Sequence, residues 1–206
     1  GDSLLKNSIY LMATNLFSSG IGFFFWIIAA RYYTPTDIGI TSAIFSGISL
    51  VSIIGSIGLP RALIFYLPRD KNTDKIISSC LVTCIISSTI FSLIFISGLK
   101  IWSHELMPIL NGLENILIFI VIAVATSVSG LIGSALTAGR RSSFQMIKEM
   151  TYHFVKIFPL ILFAGFGTMG ILISICIGLV LSTIIGFVLL SKVWKYLPRL
   201  TLDPII

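Results

Sequence analysis

Charge is scarce in this sequence. Only 11% of its 206 residues are Asp, Glu, Lys or Arg, against about 25% in a soluble domain. That is too little polar surface to coat a water-soluble globule, and with a mean hydropathy of +1.04 the chain reads as an all-α integral membrane protein. Acid is scarcer still, with 8 Asp and Glu against 14 Lys and Arg. The two histidines, His104 in a connector and His153 in an apolar stretch, are isolated from one another. No pair of carboxylates stands at useful spacing, no group of ligands suits a metal, and no glycine loop suits a phosphate. An enzyme, a metal site and a bound cofactor are therefore not expected. The three cysteines, Cys80, Cys84 and Cys176, all fall inside apolar runs. Cys80 and Cys84 share one face of a single helix, a poor disulfide prospect, and are read as small apolar packers.

What is abundant is apolar sequence in unbroken runs of about twenty residues, the length of a membrane-spanning helix. Barrel strands would need alternation over about ten residues. Six spans can be drawn, over residues 8–30, 39–65, 76–99, 116–138, 146–166 and 168–191, with Pro35, Pro68, Pro108, Gly139, Gly165 and Gly167 among the breakers between them. Basic residues are unequally divided by this scheme. Twelve fall on one side (Lys6, Arg61, Arg69, Lys71, Lys75, Arg140, Arg141, Lys148, Lys156, Lys192, Lys195 and Arg199) and only Arg31 and Lys100 on the other. Nine still face two when Arg61, Lys148 and Lys156, which lie within spans, are left out. The positive-inside rule then puts both ends of this segment in the cytoplasm, with the chain in the cytoplasmic membrane. The net charge of +6 is explained by topology and by attraction to anionic lipid, without nucleic acid.

Small residues recur in rows. Gly170, Ser174, Gly178, Ser182 and Gly186 follow one another at every fourth position of the last span, which gives a flat groove for a neighbouring helix. Ser42, Ser46, Ser49 and Ser56 form a similar stripe, as do Thr126, Gly130 and Ser134 with Gly133 nearby. Each row has two readings: close helix packing, which is the ordinary one, or the lining of a hydrated cavity.

The fifth span holds the unusual chemistry. Gln145, Glu149, Tyr152, His153 and Lys156 share a face at spacings of three and four, with Lys148 beside them, and the part after Pro159 is apolar. Lys156 stands ten residues before the end of that span, roughly 15 Å from the interface and close to the middle of a core about 30 Å thick. A charge at that depth usually faces protein or a water-filled cavity, and the ordinary reading is that it pairs with Glu149 or His153. Pro159 predicts a kink. Arg61 lies about 33 Å from Gly39 along an ideal helix, close to the cytoplasmic boundary, where it can snorkel or face a cavity. Arg31 ends the first span beside Tyr32 and Tyr33. It can anchor the helix at the aromatic belt or grip a diphosphate with its planar fork.

The opening NSIYL, a first span closing in AARYYTPTDIG and a second closing in GLPRALIFYLPR resemble the N-terminal part of polysaccharide and O-antigen (Wzx-type) flippases. These belong to the multidrug/oligosaccharidyl-lipid/polysaccharide superfamily. The resemblance covers the whole chain in topology, with its motifs concentrated in residues 7–69. It implies two helical lobes, each of about six spans, around a cavity that opens alternately to either side. It also implies transfer of a polyprenyl-diphosphate-linked glycan between the leaflets of the bilayer. On this view the chain is the N-terminal lobe, its C-terminal lobe missing and required as a partner. Lys156, Arg61 and Arg31, with His153 and Glu149, become the expected substrate-binding residues. A multidrug cation antiporter of the same superfamily would favour a carboxylate in the core of the first four spans, and there is none. A non-transporting assembly subunit, docking through the glycine–serine groove, is the alternative from another class.

Overall fold

The structure, a computed structural model, describes residues 2–70, 72–102 and 112–194. His104, Lys71, Lys195 and Arg199 lie outside them. The described residues form nine helices and no strand: α1 (Asp2–Tyr32), α2 (Pro35–Gly55), α3 (Leu59–Tyr66), α4 (Thr73–Ser97), α5 (Leu99–Trp102), α6 (Leu113–Ala138), α7 (Ser142–Val155), α8 (Ile157–Leu162) and α9 (Thr168–Trp194). Single 3-10 turns stand at Leu67–Arg69 and Ala164–Phe166. Five helices (α1 from Leu5, α2, α4, α6 and α9) are long and apolar enough to cross a membrane. The chain is an all-α, multi-pass membrane protein.

Two of the six expected spans are not single helices. Residues 39–65 divide where α2 ends at Gly55 and α3 begins at Leu59. Gly58 between them has φ 72°, a left-handed conformation that glycine adopts without a Cβ penalty. Pro60 follows in the first turn of α3, where its missing N–H costs no helical bond. Arg61 therefore belongs to the first turn of a separate short helix, and its distance from Gly39 along one continuous helix does not apply. Residues 146–166 divide at Lys156, which closes α7 and opens α8. Pro159 cannot donate to the carbonyl of Val155 and its ring crowds that turn, so the expected kink is found there.

The ends of the bundle are joined by a few polar contacts. At one end, two residues separate α1 from α2. Thr34 caps α2 in a capping box: the Asp37 amide donates to Thr34 Oγ1, and the Thr34 amide donates to the Asp37 carboxylate. The other oxygen of Asp37 accepts from both the amide and the hydroxyl of Thr168, each at 3.0 Å. One carboxylate thus completes the N-termini of α2 and α9. Removing it as Asp37→Ala is expected to destabilise the protein by about 1–2 kcal/mol, read as a lower unfolding temperature in detergent; Asp37→Asn should recover part of the loss. At the opposite end, the Ser142 amide donates to Asn7 Oδ1 and Trp194 Nε1 donates to the Ala135 carbonyl. Lys6, Arg69, Arg140, Arg141 and Lys192 all belong to this basic end of the bundle.

These anchors set directions. α1 runs parallel to α7 and α8, with Phe25 beside Lys156 and the Tyr33 hydroxyl donating to the Leu160 carbonyl at 2.7 Å. α9 runs back between α7 and α6. Its small-residue row is a packing surface, as the ordinary reading expected. A Cβ on Gly178 would stand 2.9 Å from Lys156 Cβ and 3.0 Å from the Tyr152 carbonyl oxygen, and one on Gly186 would meet Ile132 and the Lys148 stem. The Ser182 hydroxyl donates to the Lys148 carbonyl at 2.9 Å. In lipid, helices associate through such close van der Waals contact and interhelical bonds, because leaving the lipid tails brings no hydrophobic gain. Cys80 and Cys84 are buried among Leu63, Ile77 and Leu131, the packers they were expected to be.

Candidate functional site

The packing leaves a gap. α1 rests on α7 and α8, whereas α2 rests on α4, α6 and α9; beyond their short turn α1 and α2 hardly touch. A cleft opens between them. α6 turns Gly133 toward α7, where it makes room for the Gln145 amide, and Ala123 and Ser127 toward Ser52 of α2. The sector between those two contacts carries Thr126, Gly130 and Ser134, and a Cβ on Gly130 would meet nothing within 4 Å. On α2, Ser42 and Ser46 are exposed and Ser49 half-buried, each donating to a carbonyl of its own helix. On α1, Asn15 and Ser19 are exposed. They stand across the helix from Tyr10, which lines the outer groove between α1 and α7. The serine stripe of α2 and the row on α6 are thus packed only in part: Ser42, Ser46 and Gly130 are exposed, Ser49, Ser56, Thr126 and Ser134 half-buried, and Gly133 covered by Gln145.

The polar face of α7 packs against α6, α9 and α1, and its charges are arranged differently from the sequence expectation. Glu149 does not pair with Lys156. Its Oε1 accepts from Lys148 Nζ at 2.7 Å and from Gln145 Nε2 at 3.3 Å. Lys148 is 1% exposed and the Glu149 side chain 26%. Gly186 makes space for the lysine stem and Gly133 for the glutamine. Lys148 was absent from the expected site residues although its spacing of three from Gln145 and four from Tyr152 places it at the edge of the same face. The glycines of α6 and α9 at its level were the available signal. Lys156, 6% exposed, sits at the helix break with Nζ 4.4 Å from the ring centroids of both Phe25 and Tyr152. Two aromatic faces, not a carboxylate, hold this ammonium. His153 lies edge-on to Tyr152 with ring centroids 4.9 Å apart.

Arg31 and Arg61 are both exposed. Arg31 stands in the last turn of α1, six residues beyond Phe25, or about 9 Å. Arg61 opens α3 beyond the far end of α2, on the basic side of the bundle. The fold gathers Lys148, Glu149, His153 and Lys156 on α7 and sets the two arginines at separate heights. A cavity of about 180 Å³ between α2, α6 and α9 is lined mainly by Ile44, Ile48, Ile118, Phe119, Ile122 and Leu172 and includes none of the expected site residues. Among the described residues, no three His, Cys, Asp or Glu side chains come together as a metal would require.

A family described as polysaccharide biosynthesis proteins matches residues 4–204. An uncharacterized membrane protein of Methanocaldococcus jannaschii is 28% identical over 200 residues, covering 94% of this chain and 46% of the relative. The chain spans about half the length of that curated relative. No solved structure matches significantly. The family match runs nearly the full length of the chain and agrees with its multi-pass helical fold. This chain belongs to the polysaccharide biosynthesis protein family, the family of Wzx-type flippases in the multidrug/oligosaccharidyl-lipid/polysaccharide superfamily.

Proposed function

We propose that this chain is the N-terminal lobe of a flippase that carries a polyprenyl-diphosphate-linked glycan across the cytoplasmic membrane by alternating access. A second lobe, from the remainder of the protein, faces the cleft between α1 and α2. The observation that carries this reading is Lys156: a cation 6% exposed, at a helix break, whose ammonium lies against the faces of Phe25 and Tyr152 and forms no ion pair among the described residues. Burying an ammonium in lipid is costly, and an incoming diphosphate supplies counter-charge in direct contact with it. Arg61 meets the anion on the basic side, Arg31 meets it at the other rim, and Glu149 and His153 flank the path between. The hydroxyls of α1, α2 and α6 give sugar and phosphate oxygens hydrogen-bonding surface without fixed charge. A cation antiporter fits less well, because the one carboxylate on the polar face of α7 is already met by Lys148. A docking subunit fits less well too, because the glycine–serine row of α9 is filled from within the chain.

Transfer of a polyprenyl-diphosphate-linked glycan by the full-length protein in proteoliposomes tests the assignment; protein that binds the lipid without moving it between leaflets would refute it. The basic end is the cytoplasmic end in this reading. With the native cysteines replaced, cysteine at exposed Arg141 should be protected from an impermeant thiol reagent in intact cells, and cysteine at exposed Thr36 should be labelled. Labelling of both, or the reverse pattern, would overturn the orientation.

A further inference from the structure

A groove of about 620 Å³ runs down the outer face of the protein between α1 and α7. Tyr10 lines it from α1, and Ser143, Met146, Met150, Thr151 and Phe154 line it from α7. It lies across α1 from Asn15 and Ser19 and so faces away from the cleft. From Ser143 to Val155 it follows α7 for roughly 18 Å, and it stops where α7 breaks at Lys156. That is about the depth of one leaflet, half of a hydrocarbon core about 30 Å thick. A spanning helix of a partner protein would need nearly twice that length. One hydrocarbon chain would not. The wall makes little polar demand, because the Thr151 hydroxyl already donates to the Ile147 carbonyl at 2.9 Å. Met146 and Met150 are unbranched and polarisable, suited to following the contour of a flexible chain.

The head of the groove is charged. There the Ser142 amide donates to Asn7 Oδ1 and ties the two helices together. Lys6 adjoins Asn7 and stands one turn before Tyr10 on the same face of α1. Arg140 and Arg141 lead directly into Ser142 and Ser143. All three cations are exposed, and none forms an ion pair among the described residues. The nearby acid of α7, Glu149, is met by Lys148 instead. Arg140 has φ 54°, a left-handed conformation uncommon for a residue with a Cβ. The tight turn after α6 thus keeps both arginines at this corner.

We propose that this groove is a binding site for an anionic phospholipid of the leaflet at the basic end. One acyl chain lies between α1 and α7, and the phosphate meets Lys6, Arg140 and Arg141. Basic residues at the head of a groove between membrane helices recognise lipid headgroups in this way. A zwitterionic lipid brings the same chains without net charge, so the site discriminates by headgroup. A bound lipid also bridges α1 and α7 and stabilises the folded protein by mass action. The site depends on neither the glycan nor the orientation of the chain in the membrane.

The test equilibrates purified full-length protein with equal amounts of phosphatidylglycerol and phosphatidylcholine carrying the same chains in mixed micelles. Retained lipid is then counted by native mass spectrometry. Wild type should retain phosphatidylglycerol in preference to phosphatidylcholine. In Lys6→Gln/Arg141→Gln that preference should fall about fivefold for each cation removed. Lys6→Arg/Arg141→Lys should keep it, which separates charge from folding. Arg69→Gln should keep it too, since Arg69 shares the basic end but stacks on Phe65 of α3, away from the groove. Thr151→Phe fills the groove with the charges intact and should lower retention of both lipids, whereas Thr151→Ala should not. Equal retention of the two lipids by wild type overturns the proposal. So does an equal loss in Arg69→Gln, the mark of a diffuse basic surface, or full retention by Thr151→Phe.

Discussion

Lys156→Gln in the full-length protein is expected to reduce glycan transfer at least tenfold, equivalent to about 1.4 kcal/mol or more, while membrane abundance stays close to wild type. The side chain is held by two aromatic faces and no carboxylate, so its removal leaves no orphaned acid behind. Glutamine is shorter but fits between the same rings, and what it forfeits in stability is a cation–π contribution of about 1–2 kcal/mol. Transport loses more, because a partly desolvated anion would then cross the cleft without its counter-charge. Lys156→Arg should keep part of the activity, since charge survives and geometry changes. Arg61→Ala should impair transport less than Lys156→Gln, because Arg61 is exposed and meets the anion in higher dielectric. Arg31→Ala should have the smallest effect, an anchoring role being enough to account for it. Export of surface glycan, normalised to flippase in the membrane, measures all four. Near-normal export by Lys156→Gln would reject the charged-site mechanism.

The largest effect on folding is expected from Gly178→Leu. A Cβ at this position already lies 3.0 Å from a backbone oxygen of α7 and 2.9 Å from Lys156 Cβ, and the rest of the leucine side chain has nowhere to go. α9 would have to move away from α7 along the row that ends at Gly186, giving up the Ser182 bond to the Lys148 carbonyl. Overpacking of a tight interface costs roughly 1–3 kcal/mol where side chains can shift. Backbone cannot shift so easily, and folded protein should fall several-fold. Gly130→Leu is the informative contrast. Its Cβ meets nothing, so abundance should hold while a bulky side chain in the cleft lowers transport. Monodispersity in detergent and export, measured on both variants, separate packing from passage. Equal abundance of the two proteins would show that the α9 row does not face α7.

Much of this was legible in order of how local its cause is. Scarce charge and long apolar runs led directly to an all-helical membrane protein, because no soluble surface can be built from them. Pro159 and the Gly58–Leu59–Pro60 stretch carried their own breaks, since a missing donor and a left-handed backbone act within one turn. The break at Gly58 was nevertheless passed over, because apolar sequence continues through it and hydropathy does not register backbone conformation. The four-residue row of α9 was read correctly as packing. Its look-alikes on α2 and α6 are packed only in part, because a row of small residues describes one helix surface and says nothing of what stands opposite.

The sequence by itself determined the membrane class, the helical content, the basic asymmetry and the cost of placing Lys156 in an apolar stretch. Each follows from composition or from spacing along one chain segment. Only the tertiary structure decided the partners. It gave Glu149 to Lys148 in place of Lys156, gave Lys156 to Phe25 and Tyr152, and used Asp37 to join helices 131 positions apart. It also left Asn15 and Ser19 of α1, Ser42 and Ser46 of α2 and Gly130 of α6 exposed. Such pairings depend on which surfaces meet once the helices pack, and glycines on one helix make room for charges on another. A face drawn on a single helix holds no record of its neighbours.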